Sequence, residues 1–275
     1  MAPKQLEFKA LLCDITGVLY DFGVDDDGAP IIGAIDAVQR LQCSKPVVPY
    51  RLVSNTSTCS RQQLADKLTR LGFVNIQPDH IITPAPLARQ FVVKHQLRPH
   101  LLVHDDAKCE FADVDVTNPN CVLLGDAMHQ LTWHNLNAAF QVLIQHPLLI
   151  TLGASRFYNS TDGFCLNVGS YGALLSHAVH QSTSEPLTTV TIGKPSASYY
   201  QYALHELGCA AHETLMIGDD IESDIRAAQA CGIAAALVRT GKQRDSWTTK
   251  THIQPDFEFA SIKEAVDFLL NSARY

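Results

Sequence analysis

The sequence predicts an α/β protein built on a parallel sheet, and three observations support this prediction. Short apolar runs recur along the chain, and patterns with helical periodicity separate them. Two of the runs, at 10–13 and 214–217, are followed by aspartates: Asp14 comes directly after the first, and Gly218 and Asp219 after the second. Open α/β sheets bind ligands outside the carboxyl ends of their parallel strands. We therefore expect these aspartates to lie at one edge of a sheet.

The first flank of the chain contains a strand–helix–strand unit followed by a second helix. Helical periodicity, a capping box at 60–63 and a C-cap glycine at Gly72 define the helices. The predicted elements are, in order, a strand at 10–13, a helix at 31–41, a strand at 47–53, a helix at 61–71 and a strand at 81–82. The strand at 47–53 leads directly into Ser54 and Asn55.

The last flank continues the same alternation. Pro195 suits the first position of a helix and Gly208 its end, and a capping box at 261–264 opens a C-terminal helix. The predicted elements are strands at 189–192, 215–217 and 234–238, and helices from Pro195 to Gly208, from Asp224 to Gly232 and from 262 onward. Lys194 therefore follows a predicted strand.

Residues 84–187 alternate in the same style and are predicted to form an α/β unit of their own. Apolar runs occur here at 91–93, 101–103, 121–124, 140–144 and 148–152. Because the pattern of 1–83 resumes at 188–275, we expect these two flanks to form one outer domain. The middle segment is then an insertion into that domain.

Composition excludes several functional classes. The formal net charge is −7, so the basic surface of a nucleic-acid-binding protein is not expected. The eight cysteines contain no CxxC pair, which argues against a disulfide scaffold or a zinc site. The sequence shows no signal core and no apolar stretch of about 18 residues. We expect a cytoplasmic protein, with the nucleus as a second location, and no membrane partner.

Three aspartates, Asp219, Asp220 and Asp224, fall within six positions at the end of a predicted strand. Carboxylates that repel one another are normally held together by a hard cation such as Mg²⁺, which takes oxygen ligands. The alternative is a solvated acidic turn that begins a helix. Asp14, at the end of another strand, favours the metal site.

Four strand ends together supply the groups that phosphoryl transfer requires. A carboxylate can attack phosphorus to form an acyl phosphate, while Mg²⁺ and a lysine offset the charge on the phosphoryl oxygens. Asp14-Ile15-Thr16-Gly17-Val18-Leu19, Ser54-Asn55, Gly193-Lys194-Pro195 and Gly218-Asp219-Asp220 with Asp224 resemble, in order, the four motifs of the haloacid dehalogenase superfamily. The resemblance implies a Rossmann-like, three-layer catalytic core at 1–83 and 188–275, with an inserted α/β cap domain of the C2 type at 84–187.

The resemblance also implies a role for each motif residue. Asp14 would be the nucleophile and a Mg²⁺ ligand, Thr16 a ligand through its backbone carbonyl, and Asp219 the principal side-chain ligand. Asp220 and Asp224 would bind the metal, directly or through water, or orient Lys194. The phosphoryl group would be bound by Asp14, Ile15, Thr16, Ser54, Asn55 and Lys194, and the catalytic residues would be Asp14, Thr16 and Lys194. The alternatives are a solvated loop for Lys194 and a plain helix cap for Ser54.

Thr16 departs from the pattern of many superfamily phosphatases, which have a second aspartate at this position. That aspartate protonates the leaving group and then activates water, and losing such a group costs about 10²- to 10⁴-fold in rate. A phosphorus–nitrogen bond is less demanding, because its nitrogen can be protonated without an enzyme acid. We therefore expect Thr16 to bias the enzyme toward phosphoramidates and diphosphates.

The leading prediction is a Mg²⁺-dependent phosphatase for P–N and P–O–P bonds, acting on phosphohistidine, phospholysine, imidodiphosphate or inorganic pyrophosphate, as a small molecule or on a protein. One alternative is a pyridoxal phosphate or aryl phosphate phosphatase with the same cap. Another is a phosphoacceptor or binding protein without turnover, in which Thr16 marks lost catalysis. A homodimer through the cap is also expected from the resemblance.

Overall fold

The computed structural model describes residues 8–21, 28–160, 163–180, 182, 185–241 and 252–272. The strands are β1 Ala10–Asp14, β2 Tyr20–Asp21, β3 Ala29–Pro30, β4 Tyr50–Val53, β5 Ile81–Ile82, β6 Pro99–Leu102, β7 Cys121–Leu124, β8 Leu148–Thr151, β9 Phe157–Ser160, β10 Gly163–Leu166, β11 Thr188–Thr191, β12 Thr214–Gly218, β13 Ala234–Val238 and β14 Phe257–Phe259. The α-helices are α1 Ala34–Gln42, α2 Arg61–Arg70, α3 Pro84–Lys94, α4 Trp133–Gln145, α5 Val168–His180, α6 Ala197–Leu207, α7 Ala227–Ala230 and α8 Ile262–Ser272, and a π-helix spans Ile221–Arg226.

The chain forms two compact units, each with its own parallel sheet. The six-stranded unit comprises 1–54, 65–82 and 200–275, and the four-stranded unit comprises 55–64 and 83–199. The four-stranded unit thus contains the whole predicted insertion, 84–187, together with shorter segments on its flanks. The precise limits of the core and cap domains stay a prediction.

The sheet of the six-stranded unit has the strand order β14-β13-β12-β1-β4-β5, and all of its pairs are parallel. The chain leaves β1 toward β4 on one side and later returns to β12 on the other, so the direction of winding changes between β1 and β12. Every residue of β1 and β12 is buried, as expected for central strands of a parallel sheet. The predicted α/β class with a parallel sheet is confirmed.

The four-stranded unit has the parallel order β11-β8-β7-β6. Its core is built from buried residues of β6, β7, β8, α4 and α5, among them Val122, Leu143, Leu149 and Leu175. Because its strands are parallel, they all end at the same edge, which we call the carboxyl edge of this sheet.

One strand belongs to a different sheet from the one we expected. The sequence pattern places the run at 189–192 in the outer domain, but β11 pairs in parallel with β8, and the Thr151 and Thr191 hydroxyls lie 3.1 Å apart. A β-branched run predicts a strand without specifying its neighbour. Lys194 therefore follows a strand of the four-stranded sheet.

Smaller differences concern the ends of elements. The helix expected from Pro195 begins at Ala197, and the strand expected at 47–53 is limited to Tyr50–Val53. The helix expected from Asp224 begins earlier, as a π-helix at Ile221. Among the described residues, no helix is both long enough and apolar enough to cross a membrane.

Candidate active site

Asp14, Asp219 and Asp224 converge where the six-stranded sheet changes its direction of winding. Asp14 ends β1, and Asp219 follows the last residue of β12. The register aligns Cys13 with Ile217, so the two aspartates lie at the ends of neighbouring strands. Neighbouring strands in a sheet are about 4.8 Å apart. Asp224 joins them from the π-helix. One carboxylate oxygen of each lies within 4.8 Å of the others, and the three residues are 7%, 2% and 0% exposed.

Glycines make this close approach of carboxylates sterically feasible. Gly17 and Gly241 both have left-handed backbones, with φ of +86° and +65°, and a Cβ at either would overlap Asp219 Oδ2. A Cβ at Gly218 would likewise overlap the Asp224 side chain. The Thr240 hydroxyl donates to the Gly17 carbonyl at 2.6 Å, which holds the two glycine-containing loops together. Larger residues at these positions would force the aspartates to move.

Backbone N–H groups orient two of the three carboxylates. The Ile15 N–H donates to Asp14 Oδ1 at 2.8 Å, and the Asp220 N–H donates to Asp224 Oδ2 at 3.1 Å. Each bond fixes the orientation of its carboxylate. Both bonds therefore suit carboxylates that act as metal ligands or nucleophiles.

Asp220 differs from Asp224, although sequence analysis left their roles open together. Its Oδ1 accepts from the N–H groups of Glu222 and Ser223, both at 2.9 Å, so the side chain caps the π-helix. Within the described part of the chain, the cluster of carboxylates that could hold a metal includes Asp224 but not Asp220. The sequence spacing alone could not distinguish the roles of Asp220 and Asp224, because they depend on the geometry of the π-helix, in which Asp224 lies near Asp219.

The three carboxylates fit a hard divalent cation. Buried like charges at this separation are unfavourable unless a cation or a proton compensates them. All three supply oxygen, the ligand that Mg²⁺ prefers, and a site of a few carboxylates leaves room for the waters that Mg²⁺ retains. Asp14, Asp219 and Asp224 are therefore the side chains that could hold such an ion.

Thr16 is half-buried and lies in the turn that follows Asp14. Its hydroxyl donates to the Tyr20 phenol oxygen at 3.3 Å, and the Lys67 ammonium lies 4.6 Å from the centre of the Tyr20 ring. Sequence analysis missed Tyr20, because nothing in the spacing shows that its oxygen reaches back to Thr16. The position thus holds a hydroxyl that is bonded to a phenol.

Ser54 directly follows β4 in the six-stranded unit. It is buried, and its N–H donates to the Ile82 carbonyl at 3.0 Å, which continues the pairing of β4 with β5. Its position at a strand end agrees with the prediction from sequence. Binding of a phosphoryl oxygen by Ser54 stays a prediction, as does the role of the Ile15 backbone.

Lys194 and Asn55 lie together in the four-stranded unit. Lys194 is 3% exposed and follows β11 after Ile192 and Gly193. The Asn55 amide Nδ2 donates to the Lys194 carbonyl at 2.8 Å, and the Lys194 N–H donates to Asn55 Oδ1 at 2.7 Å. Sequence analysis assigned Asn55 to the phosphoryl group. The structure shows its amide bonded to both backbone groups of Lys194.

Asp126 lies at the same carboxyl edge, directly after Gly125 and β7. Its N–H donates to the Ser57 hydroxyl at 2.9 Å. Burial raises the pKa of the Asp126 carboxyl above its ordinary value, while the Met128 N–H and nearby His104 oppose that rise. Sequence analysis missed Asp126, although the signal was available: it follows the apolar run at 121–124 much as Asp219 follows the run at 214–217.

Comparisons with known proteins bear on the chain as a whole. A sequence model of haloacid dehalogenase-like hydrolases matches residues 11–117, and a HAD-hydrolase-like model matches 191–265. Phospholysine phosphohistidine inorganic pyrophosphate phosphatase from Xenopus laevis is 42% identical over 266 residues, covering 96% of this chain and 95% of that protein. The Homo sapiens protein of the same name is 41% identical over 267 residues, with coverage of 96% and 95%.

A solved structure agrees with the sequence comparisons. The 4-nitrophenylphosphatase of Thermotoga maritima matches with a TM-score of 0.82 and 22% identity, over 95% of this chain and 97% of that one. At this identity the likeness shows the fold alone. The relatives that are more than 40% identical cover nearly the whole chain, and the predicted family is confirmed. The chain belongs to the haloacid dehalogenase-like hydrolases.

Proposed function

We propose that the protein is a Mg²⁺-dependent phosphatase that hydrolyses P–N and P–O–P bonds through an aspartyl-phosphate intermediate. The observation that carries this proposal is the buried group of Asp14, Asp219 and Asp224 at the switch point of a parallel sheet. One of these carboxylates, Asp14, lies in the motif position of the family's nucleophile. The names of the relatives that are 41–42% identical agree with the proposal.

Asp14 performs the covalent step in this proposal. Oδ1 accepts from the Ile15 N–H, and we assign attack on phosphorus to the other oxygen, Oδ2. The new O–P bond forms as the bond from phosphorus to the leaving nitrogen or oxygen breaks, and the leaving group keeps that electron pair and takes a proton from solvent. Water then attacks the phosphorus of the acyl phosphate and the P–O bond to Asp14 breaks, so that inorganic phosphate is released, a proton passes to solvent and the Asp14 carboxylate is restored.

Charge compensation comes from two sources. When bound by Asp14, Asp219 and Asp224, Mg²⁺ would supply positive charge against the phosphoryl oxygens. The second source in this proposal is the Lys194 side chain as an ammonium, which we assign to the same phosphoryl oxygens. We assign Ser54 to a hydrogen bond with the phosphoryl group and the Thr16 carbonyl to the metal.

The preference for P–N and P–O–P bonds rests on Thr16. Its hydroxyl contacts the Tyr20 phenol, and neither group exchanges protons near neutral pH as a carboxylate does. Phosphomonoesters with poor leaving groups depend most on an enzyme acid. Phosphohistidine and phospholysine, whose nitrogens protonate in solution, depend on it least.

A substrate panel tests the proposal. Purified protein is assayed with and without Mg²⁺ on imidodiphosphate, phosphohistidine, phospholysine, pyrophosphate, pyridoxal phosphate and 4-nitrophenyl phosphate. We expect kcat/KM to be higher for the first four substrates and to depend on Mg²⁺. Higher values for pyridoxal phosphate or 4-nitrophenyl phosphate would favour the ester phosphatase alternative. Phosphorylation of Asp14 without release of phosphate would favour the phosphoacceptor.

Location and assembly stay predictions: a cytoplasmic protein with the nucleus as a second location, and a homodimer through the cap. Trp133 on α4 is 79% exposed and Leu174 on α5 is 52% exposed, which suits such a dimer. Sedimentation of the wild-type protein and of Trp133→Glu tests it. Two monomeric species, or two dimeric ones, would contradict a dimer through α4.

A further inference from the structure

We propose that Asn55 is a positioning residue for Lys194, and that its effect on catalysis passes through that lysine. This proposal rests on the phosphatase function proposed above and refines one part of it. The motif position alone suggested that the Asn55 amide holds a phosphoryl oxygen. The hydrogen bonds within the four-stranded unit show that this amide is bonded to the Lys194 backbone.

The contact between Asn55 and Lys194 is reciprocal. One amide N–H of Asn55 donates to the Lys194 carbonyl at 2.8 Å, while Asn55 Oδ1 accepts from the Lys194 N–H at 2.7 Å. A side-chain amide that pairs with both the N–H and the C=O of one residue fixes that residue's backbone in position and orientation. Because Lys194 is 3% exposed, its side chain has little room to adjust if the backbone moves.

The neighbouring backbone is shaped to admit this contact. Gly193 has φ of +129°, and a Cβ there would lie 2.9 Å from Asn55 Oδ1 and 2.8 Å from the Leu152 carbonyl. Any larger residue at 193 would press on Asn55. The glycine before Lys194 therefore provides the space in which the Asn55 amide reaches the lysine backbone.

The segment after Ser54 is held at a second point on the same edge. The Ser57 hydroxyl accepts from the Asp126 N–H at 2.9 Å, so residues 55–57 contact the chain after β11 and the chain after β7. Two contacts restrict how Asn55 can turn away from Lys194. Residues 55–57 thus hold the Lys194 backbone in place through Asn55.

A double-mutant cycle tests the proposal, because a residue that acts through another has no effect once that other is gone. The proteins are the wild type, Asn55→Ala, Lys194→Ala and the double variant, assayed on imidodiphosphate with Mg²⁺. Displacing a catalytic group by about 1 Å costs about 10²-fold. We expect Asn55→Ala to lower kcat/KM by about 10- to 10²-fold in the wild type, and by less than about 3-fold in Lys194→Ala.

An equal loss in both backgrounds would overturn the proposal, because Asn55 would then act on the substrate directly. No loss in the wild-type background would overturn it as well. Asn137→Ala is the matched control, since the Asn137 amide also donates to a backbone carbonyl, that of Trp133, at 2.7 Å. It should leave kcat/KM unchanged.

A second variant and a second readout keep the test decisive. If Asn55→Ala does not unfold cooperatively, Asn55→Asp replaces it in the cycle, because the carboxylate can still accept from the Lys194 N–H but cannot donate to the carbonyl. If the wild type hydrolyses none of the panel, the proposed function fails. The same four proteins are then compared by the Kd of inorganic phosphate, measured by calorimetry with Mg²⁺. The positioning role fails separately if Asn55→Ala weakens phosphate binding equally with and without Lys194, or if Lys194→Ala leaves that binding unchanged.

Discussion

The carboxyl edges of the two parallel sheets follow the same structural rule but hold different charged residues. At the six-stranded sheet, Asp14, Asp219 and Asp224 bring three buried carboxylates within 4.8 Å of one another. At the four-stranded sheet, a buried lysine follows the edge strand β11, and an asparagine side chain holds its backbone. We call the first the acidic edge, after its three aspartates, and the second, which also holds Asp126, the basic edge, after Lys194.

Glycine serves a different purpose at each edge. Gly17 and Gly241 admit the Asp219 carboxylate, where a Cβ would overlap its oxygen. Gly193 admits a neutral amide beside the backbone of the next residue. The acidic edge therefore depends on how closely the aspartate carboxylates can approach one another. The basic edge depends on the orientation of a single residue.

The largest expected effect comes from adding a fourth carboxylate to the acidic edge. Thr16→Asp would supply the missing proton donor, so kcat/KM for an alkyl phosphomonoester should rise relative to that for imidodiphosphate by about 10²-fold. Steady-state kinetics on both substrates measure the ratio. Thr16→Ser is the control, because it keeps the hydroxyl near Tyr20. An unchanged ratio in Thr16→Asp would remove Thr16 as the basis of substrate preference.

A smaller effect is expected from crowding the acidic edge without changing its charge. In Gly241→Ala the new Cβ meets Asp219 Oδ2, so the Mg²⁺ concentration for half-maximal activity should rise by about 10-fold. Gly208→Ala is the matched control: its φ is +69° against +65° at Gly241, but nothing lies within 4 Å of its Cβ. Both variants introduce similar backbone strain. A similar shift in Mg²⁺ requirement for both would show that strain, and not contact with Asp219, is the cause.

The smallest expected effect separates the two neighbouring aspartates. Asp220→Ala removes the cap of the π-helix and should lower the free energy of unfolding by about 1 kcal/mol, with an unchanged Mg²⁺ requirement. Asp224→Asn should instead raise the Mg²⁺ requirement. Urea denaturation and Mg²⁺ titration of activity measure the two quantities. If Asp220→Ala raised the Mg²⁺ requirement as much as Asp224→Asn, the assignment of Asp220 to capping would be wrong.

The acidic edge was easier to predict from the sequence than the basic one. Asp14 and Asp219 each come at the end of a mostly apolar run, and parallel strands in one sheet must end at the same edge. The sheet of β11 was not predictable in this way, because its β-branched residues are compatible with either sheet. The Asn55 contact joins residues 139 positions apart through a backbone group, which leaves no signal in residue type. Gly241 likewise shows its purpose only when the position of Asp219 is known.

The central claim is that Asp14 accepts the phosphoryl group in a reaction that requires Mg²⁺. Trapping the intermediate tests it most directly: the protein is quenched during turnover of imidodiphosphate, reduced with borohydride, and mapped by peptide mass spectrometry. We predict reduction at Asp14 in the presence of Mg²⁺, and none with a chelator or in Asp14→Asn. Modification at another residue, or an unmodified Asp14 while phosphate is being released, would contradict the account.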